Sequence, residues 1–321
     1  MLRKTLIAAT AALTLTGLGA TTAGAADLSC GTAKLIVPWG AGGGTDIIFR
    51  IFVEEVNKDG KSPQLQVVNA PGQGGNKGAK EARKAKPDGC TLFAIHQSAI
   101  TSFFTGRVDF TWDAFESISL LTRTPAIIGA SKNVPYDDIG GLVKAAKAAP
   151  GTILAGGTLG STSHFVFLLM EDATGVKFKH VSYDGTRERM TALLADNIKL
   201  GEINLASAKK YIQTSELKAL GITTEERNAE IPDVKTLKEQ GYDLVYGTDR
   251  GVMAPKGTPA DVVAMWGDRF VAACKSPAIK KQMEAKGSLT FCTTPAETAK
   301  YWQDTYTKWE KLAINVGLYK K

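Results

Sequence analysis

The stretch Leu35 to Asp46, LIVPWGAGGGTD, sets the reading of the chain: an apolar run breaks at Pro38 and enters four glycines within five residues. It reads as a strand, a loop of exposed backbone and a helix start. Lacking a Cβ, Gly40, Gly42, Gly43 and Gly44 let a ligand touch main-chain N–H groups directly. Thr45 is placed to cap the helix that follows, whose apolar Ile47, Ile48, Ile51, Phe52 and Val56 recur on one face. A helix start that presents free N–H groups and a partial positive charge is an anion site.

Outward from there, strand-like and helical runs alternate: 34–38, a helix from Thr45, 65–69, a helix near 77–86, 90–95, 126–130 and a helix near 139–149. A second series follows with 152–155, a helix from His164, 179–182, a helix near 187–196, 198–203 and 219–222. Alternation of this kind predicts an α/β protein with parallel sheets, and two series in succession predict two similar lobes. Later, Thr258-Pro259-Ala260-Asp261 and Thr294-Pro295-Ala296-Glu297 each place a capping hydroxyl before a proline at the first helical position. The second also carries the acidic residue of a capping box. Trp302, Tyr306, Trp309, Ala313 and Val316 recur every three or four residues in the last helix, a stripe that reads as core packing.

Residues 1–25 hold Arg3 and Lys4, an apolar stretch from Leu6 to Leu18 and small residues ending Ala23-Gly24-Ala25. This is the pattern of a secretory signal peptide, and it predicts a periplasmic protein. The formal charge of +7 falls to +5 without that segment. A modest excess spread along the chain suits an anionic solute better than a polyanion, and no basic block interleaved with aromatics suggests nucleic acid. Four cysteines, Cys30, Cys90, Cys274 and Cys292, predict two disulfides in an oxidising compartment, with three pairings open. Cys30–Cys90 with Cys274–Cys292 is favoured, because Cys30 and Cys90 each stand at the start of a strand-like run and neighbouring parallel strands bring such starts together.

Enzyme classes fit poorly. Gly40-Ala41-Gly42 opens like a dinucleotide fingerprint, but its third glycine falls at Thr45, and the second strand ends at Asn69 where an acidic ribose ligand belongs. No P-loop lysine motif and no G-x-S-x-G nucleophile elbow is present.

Seven segments occur in order along the chain: VPWGAGGGTD (37–46), NAPGQGGNKGA (69–79), KPDGCTL (86–92), GSTSH (160–164), HVSYDG (180–185), IPDVKTL (231–237) and APKGTP (254–259). As a set they resemble the periplasmic solute-binding proteins of tripartite tricarboxylate transporters, the Bug or TctC family. The resemblance implies a two-lobed Venus-flytrap α/β fold of parallel or mixed sheets flanked by helices, with lobe 1 built from 26–126 and 247–321 and lobe 2 from 127–246. It implies a monomer without enzymatic activity, cofactor or metal, which closes on a small organic acid and delivers it to a membrane permease. Carried over, the ligand contacts are Trp39, Ala41, Gly43, Gly44, Thr45 and Asp46 in the first loop, then Gln97 and Ser98 after the third strand. The other lobe contributes Ser161, Thr162, His164, Tyr183, Asp184 and Asn204.

Four residues depart from the family pattern: Asp184 after Tyr183, Asp249 and Arg250 where an aromatic pair often precedes Gly251, and Glu202 where a hydrophobe is common. Arg250 reads either as a bidentate clamp on a ligand carboxylate or as a hinge ion pair with Asp249 or Glu202. Glu202 reads either as the receiver of a ligand ammonium or as the partner of an arginine, which keeps an amino acid open as an alternative ligand. Arg187, at a helix start, reads either as a cleft residue or as a solvated surface arginine, the second favoured.

Overall fold

The structure is a computed structural model and describes residues 28–315 and 317–320. The signal-peptide pattern and Val316 of the last-helix stripe lie outside the described residues. Strand β1 (Thr32–Val37) ends at Pro38, which cannot donate to a ladder, and helix α1 (Gly44–Asn57) starts after the glycine run. Its buried face of Ile48, Phe49, Phe52, Val53 and Val56 packs onto the sheet. The cap position differs from expectation. Gly43, extended at φ −77° and ψ 162°, is the residue before the helix, so Thr45 falls inside the first turn and its hydroxyl is free for another partner.

The remaining strands are β2 (Gln64–Asn69), β3 (Thr91–His96), β4 (Phe115–Pro125), β5 (Ile127–Ser131), β6 (Leu154–Gly157), β7 (Lys179–Ser182), β8 (Leu200–Ile203), β9 (Leu217–Ile222), β10 (Gly247–Pro255) and β11 (Leu289–Thr290). The helices are α2 (Asn76–Arg83), α3 (Ser98–Phe104), α4 (Ile139–Ala148), α5 (Thr162–Thr174), α6 (Thr186–Leu194), α7 (Leu205–Gln213), α8 (Ala260–Cys274), α9 (Pro277–Ala285) and α10 (Pro295–Asn315). Two sheets form, ordered β11-β4-β10-β3-β1-β2 and β7-β6-β8-β5-β9. Both are mixed, within the parallel or mixed sheets that the two-lobed fold implies. β1 runs parallel to β2 and β3, while β10 is antiparallel to β3 and β4; β6 runs parallel to β7 and β8, while β5 is antiparallel to β8 and β9. The reason is the path of the chain: β4 leaves the first sheet, β5 enters the second after Ala126 alone, and β10 returns beside β4 in the opposite sense.

The passages between the sheets are stapled by Thr223. Its N–H donates to Ala126 O (3.0 Å), its hydroxyl lies 2.8 Å from that oxygen and 2.6 Å from Tyr246 O, and it accepts from the Ala126 N–H at 3.0 Å. Helix α10 packs across this region, with Trp309 stacked on Phe165 of α5 (5.3 Å) and on Tyr246 (5.6 Å), so the aromatic stripe is core. Its start is a full capping box: the Thr294 N–H donates to Glu297 Oε2 (2.8 Å), and the Glu297 N–H donates to Thr294 Oγ1 (3.4 Å). The Thr258 hydroxyl donates instead to Pro255 O (2.7 Å), and α8 is preceded by Pro259 without a side-chain cap. The two disulfides are Cys30–Cys90 and Cys274–Cys292, with Cα separations of 6.0 and 5.4 Å. The first joins the entries of β1 and β3, which pair in parallel. Among the described residues no helix is long and apolar enough to cross a membrane.

Candidate functional site

The first-sheet strand β1 leads through Pro38 to Trp39 and β3 ends at His96, facing loops of the second sheet across a cleft with an empty volume of about 520 Å³, its solvent-open mouth included. Ligand sites in α/β sheets lie beyond the carboxyl ends of parallel strands, where helices begin. Four helix starts border this cleft: α1 through Gly43, Gly44 and Thr45; α5 through Ser161, Thr162 and Ser163; α6 through Gly185 to Arg189; and α7 through Asn204. The first three have no capping side chain, so their leading N–H groups are available to an anion. At α7 the Asn204 side chain caps, accepting from the Ser207 N–H at 3.3 Å and from its hydroxyl at 2.8 Å.

Arg250 lies against the cleft from β10, paired in register with His96. It is 3% exposed. Its Nε donates to Thr45 Oγ1 (3.0 Å), and its Nη1 donates to Thr124 Oγ1 (2.6 Å) and Thr248 O (3.2 Å). Every one of these acceptors is neutral. Asp249 is clasped instead by Arg123 Nε and Nη2 at 2.6 and 2.7 Å and by the Tyr301 hydroxyl, and Glu202 is paired with Arg189 Nη2 at 2.6 Å. Among the described residues, then, Arg250 has no ion pair and Nη2 no hydrogen-bond partner. Burial lowers its pKa to about 10 against the opposing fields of Glu202 and Asp249, which leaves it a cation at neutral pH.

His96 stacks on Trp39 with ring centroids 3.7 Å apart. The Ser98 N–H can only donate, so its 3.1 Å bond to Nδ1 puts the proton of the neutral ring on Nε2. Burial, and secondarily the Arg250 charge, hold the His96 pKa well below its ordinary value, so the ring is neutral.

Of the residues expected at the site, the fold brings Trp39, Gly43, Gly44, Thr45, Ser161, Thr162, Asn204 and Arg250 to the cleft wall. The other seven lie behind or beside it. Ala41 is exposed on the loop. Asp46 ties the loop down, accepting from the Gly42 N–H (2.9 Å), Asn69 (2.9 Å) and Arg50 (3.0 Å). Burial pushes the Asp46 carboxyl up in pKa, but those donors outweigh it and hold it below the usual range. Gln97 turns away to pin β10, accepting from the Asp249 N–H (2.9 Å) and donating to Gly247 O (3.3 Å). Ser98 orients His96. His164 is satisfied by its own loop, with Nδ1 accepting from the Gly160 N–H (3.3 Å) and its ring edge-on to His180. Tyr183 packs on the second-sheet core, and Asp184 accepts from the Gly74 N–H (2.8 Å) across the cleft.

The wall also contains Gly40, His96, Thr158, Ser163, Gly185, Thr186, Glu188, Arg189, Glu202 and Thr248, together with Arg187, the cleft being the less favoured of its two readings. Their signal was positional: most stand at the end of a strand or the start of a helix. The walls meet closely. A Cβ on Gly44 would lie 2.7 Å from the Asn204 amide atoms, and Thr101 Oγ1 donates to Gly160 O at 2.6 Å. Arg107 donates to Gln73 O (2.7 Å) on one side and to Leu159 O on the other.

Known proteins share this architecture. BugT of Bordetella pertussis is 27% identical over 290 residues, spanning 88% of this chain and 89% of BugT. The structure of the periplasmic binding protein BugD is similar with a TM-score of 0.81 at 26% identity, covering 90% of this chain and 99% of BugD. MatC from Rhodopseudomonas palustris with bound malate is similar with a TM-score of 0.81 at 26% identity, covering 87% of this chain and 98% of MatC. The structural neighbours are periplasmic binding proteins with a two-lobed fold, and the fold described above is of that kind. With residues 48–318 matching the tripartite tricarboxylate transporter family receptor, the chain belongs to that family of periplasmic solute-binding proteins.

Proposed function

We propose that this receptor captures a small organic acid between its lobes, seats a ligand carboxylate on Arg250 and the uncapped helix starts, and hands the acid to the permease of a tripartite transporter. The lobes in this reading are 26–126 with 247–321, and 127–246. The observation that carries it is Arg250, a buried cation at the cleft whose partners are all neutral. Leaving an ion buried and unpaired is costly, and a ligand carboxylate removes that cost with charge-assisted bonds. Thr45 accepts from Nε and fixes the fork, the three uncapped helix starts add N–H donors, and His96 adds a neutral Nε2–H. Family membership supports delivery to a permease, and MatC, solved with malate, supports an organic acid.

Calorimetry of the purified chain against mono-, di- and tricarboxylates, amino acids, sugars and divalent metals tests the reading. Binding is expected within the carboxylates, and Arg250→Gln should cost about 2–4 kcal/mol, roughly 30- to 1,000-fold in Kd. Because Arg250 has no counter-ion, the same change should leave the ligand-free melting point level or raise it. Binding confined to sugars or metals, or an unaltered carboxylate Kd in Arg250→Gln, would sink the proposal.

A further inference from the structure

The cleft wall presents a partnerless acceptor as well as a partnerless donor. Glu202, on β8, is held rigidly: its carbonyl accepts from Arg189 Nε (2.6 Å), its Oε2 accepts from Arg189 Nη2 (2.6 Å), and Arg189 is itself braced by Ser163 and Thr186. Its Oε1 accepts no hydrogen bond among the described residues. The sealed, partnerless polar side-chain atoms of those residues lie elsewhere, so Oε1 opens on the cleft that Glu202 lines. Arg250 lines the same cleft with Nη2 unused, and the two side chains are not ion-paired to each other. A space bounded by a fixed acceptor and a fixed cation that do not meet fits a molecule that joins them.

We propose that Glu202 Oε1 and Arg250 Nη2 together select carboxylates that also carry a hydrogen-bond donor, a hydroxyl or an ammonium, over the same acids without one. This rests on the reading of Arg250 as the carboxylate anchor. The carboxylate sits on the guanidinium and the donor on Glu202. An unsubstituted acid turns methylene hydrogens toward Oε1, strips it of water and gives nothing back, and a site built to receive a donor rejects such an analogue strongly. An ammonium donor adds charge to the bond and is favoured over a hydroxyl.

The test uses the wild-type chain and sets of acids matched on one carbon skeleton: propionate, lactate and alanine; succinate, malate and aspartate; glutarate, 2-hydroxyglutarate and glutamate. Within whichever skeleton binds, a substituted member is expected to bind at least tenfold tighter than the unsubstituted one, with the amine tighter than the hydroxyl. Glu202→Leu combined with Arg189→Met removes the buried pair together, a replacement that proteins often tolerate. In that double variant the preference should shrink to within about threefold. Equal affinity across a skeleton, or a preference retained by the double variant, overturns this inference and leaves the carboxylate receptor standing. Failure of every carboxylate to bind overturns the reading beneath it as well.

Discussion

Side chains next to each other in a strand point to opposite faces of the sheet, and this separates Arg250 from Asp249. Arg250 and Thr248 turn to the cleft, while Asp249 turns to Arg123 and Tyr301 on the other side of β10. The ion pair suggested by their adjacency is therefore excluded by the period of the strand. Had β10 been recognised as a strand, that much was legible; the Glu202–Arg189 pair, between residues 13 apart on a helix and a strand, was not. His164 shows the same gap between residue type and placement. Burial, then the His180 and Arg107 charges, lower its pKa to about 4. The unfolded chain takes up this proton near pH 6.5 and the native chain only near 4, so the contribution is complete above 6.5 and is lost as pH falls through that window. Between pH 7 and pH 4.5, urea unfolding should lose of order 2–3 kcal/mol from this group. His164→Gln should show a shallower profile, though not a flat one, since buried His96 adds to the same slope. An unchanged slope would show that His164 titrates normally.

At the scale of elements, the strand, glycine loop and helix of 35–57 were legible because their apolar periods differ and glycines mark the join. β4 and β10 were not. They are buried on almost every residue, so the alternation that marks a half-exposed strand is missing, and their threonines, serines and glycines read as loop. The cleft depends on how the helix starts fit together, and Gly44 is the tightest place. It lies in the first turn of α1, where alanine favours the helix by up to about 1 kcal/mol. A Cβ there, however, meets Asn204, which cannot move without giving up the cap of α7, a bond worth about 1 kcal/mol. Gly44→Ala is thus expected to leave or raise the melting point of the ligand-free chain while weakening ligand binding roughly fivefold, a penalty of about 1 kcal/mol. Thermal unfolding and calorimetry on the same preparation measure both. A variant that binds as the parent does would show that Asn204 and Gly44 do not meet in the bound state.

Across the whole molecule, two serial α/β units in the sequence correspond to two sheets, but the bonds between them were invisible because each joins residues more than fifty positions apart. Asp184 accepts from the Gly74 N–H and Thr101 donates to Gly160 O, and in the proposed closure on ligand these bonds would serve as latches. Asp184 holds the opposing loop in this structure. A ligand shifts a two-state equilibrium only through what it gains in the favoured state, and closed-state latches add to that gain without strengthening the open form. Removing both, with Asp184→Ala and Thr101→Val, deletes two bonds of about 0.5–1.5 kcal/mol each, or roughly 5- to 150-fold in affinity. The loss should appear mainly as faster dissociation, read by stopped-flow fluorescence of Trp39 at the cleft wall, with the ligand-free melting point little changed. Small-angle scattering should show the parent contracting with a bound carboxylate and the double variant contracting less at the same concentration. An equal drop in ligand-free stability would place these bonds in a fixed interface instead, and the lobes would then bind without closing.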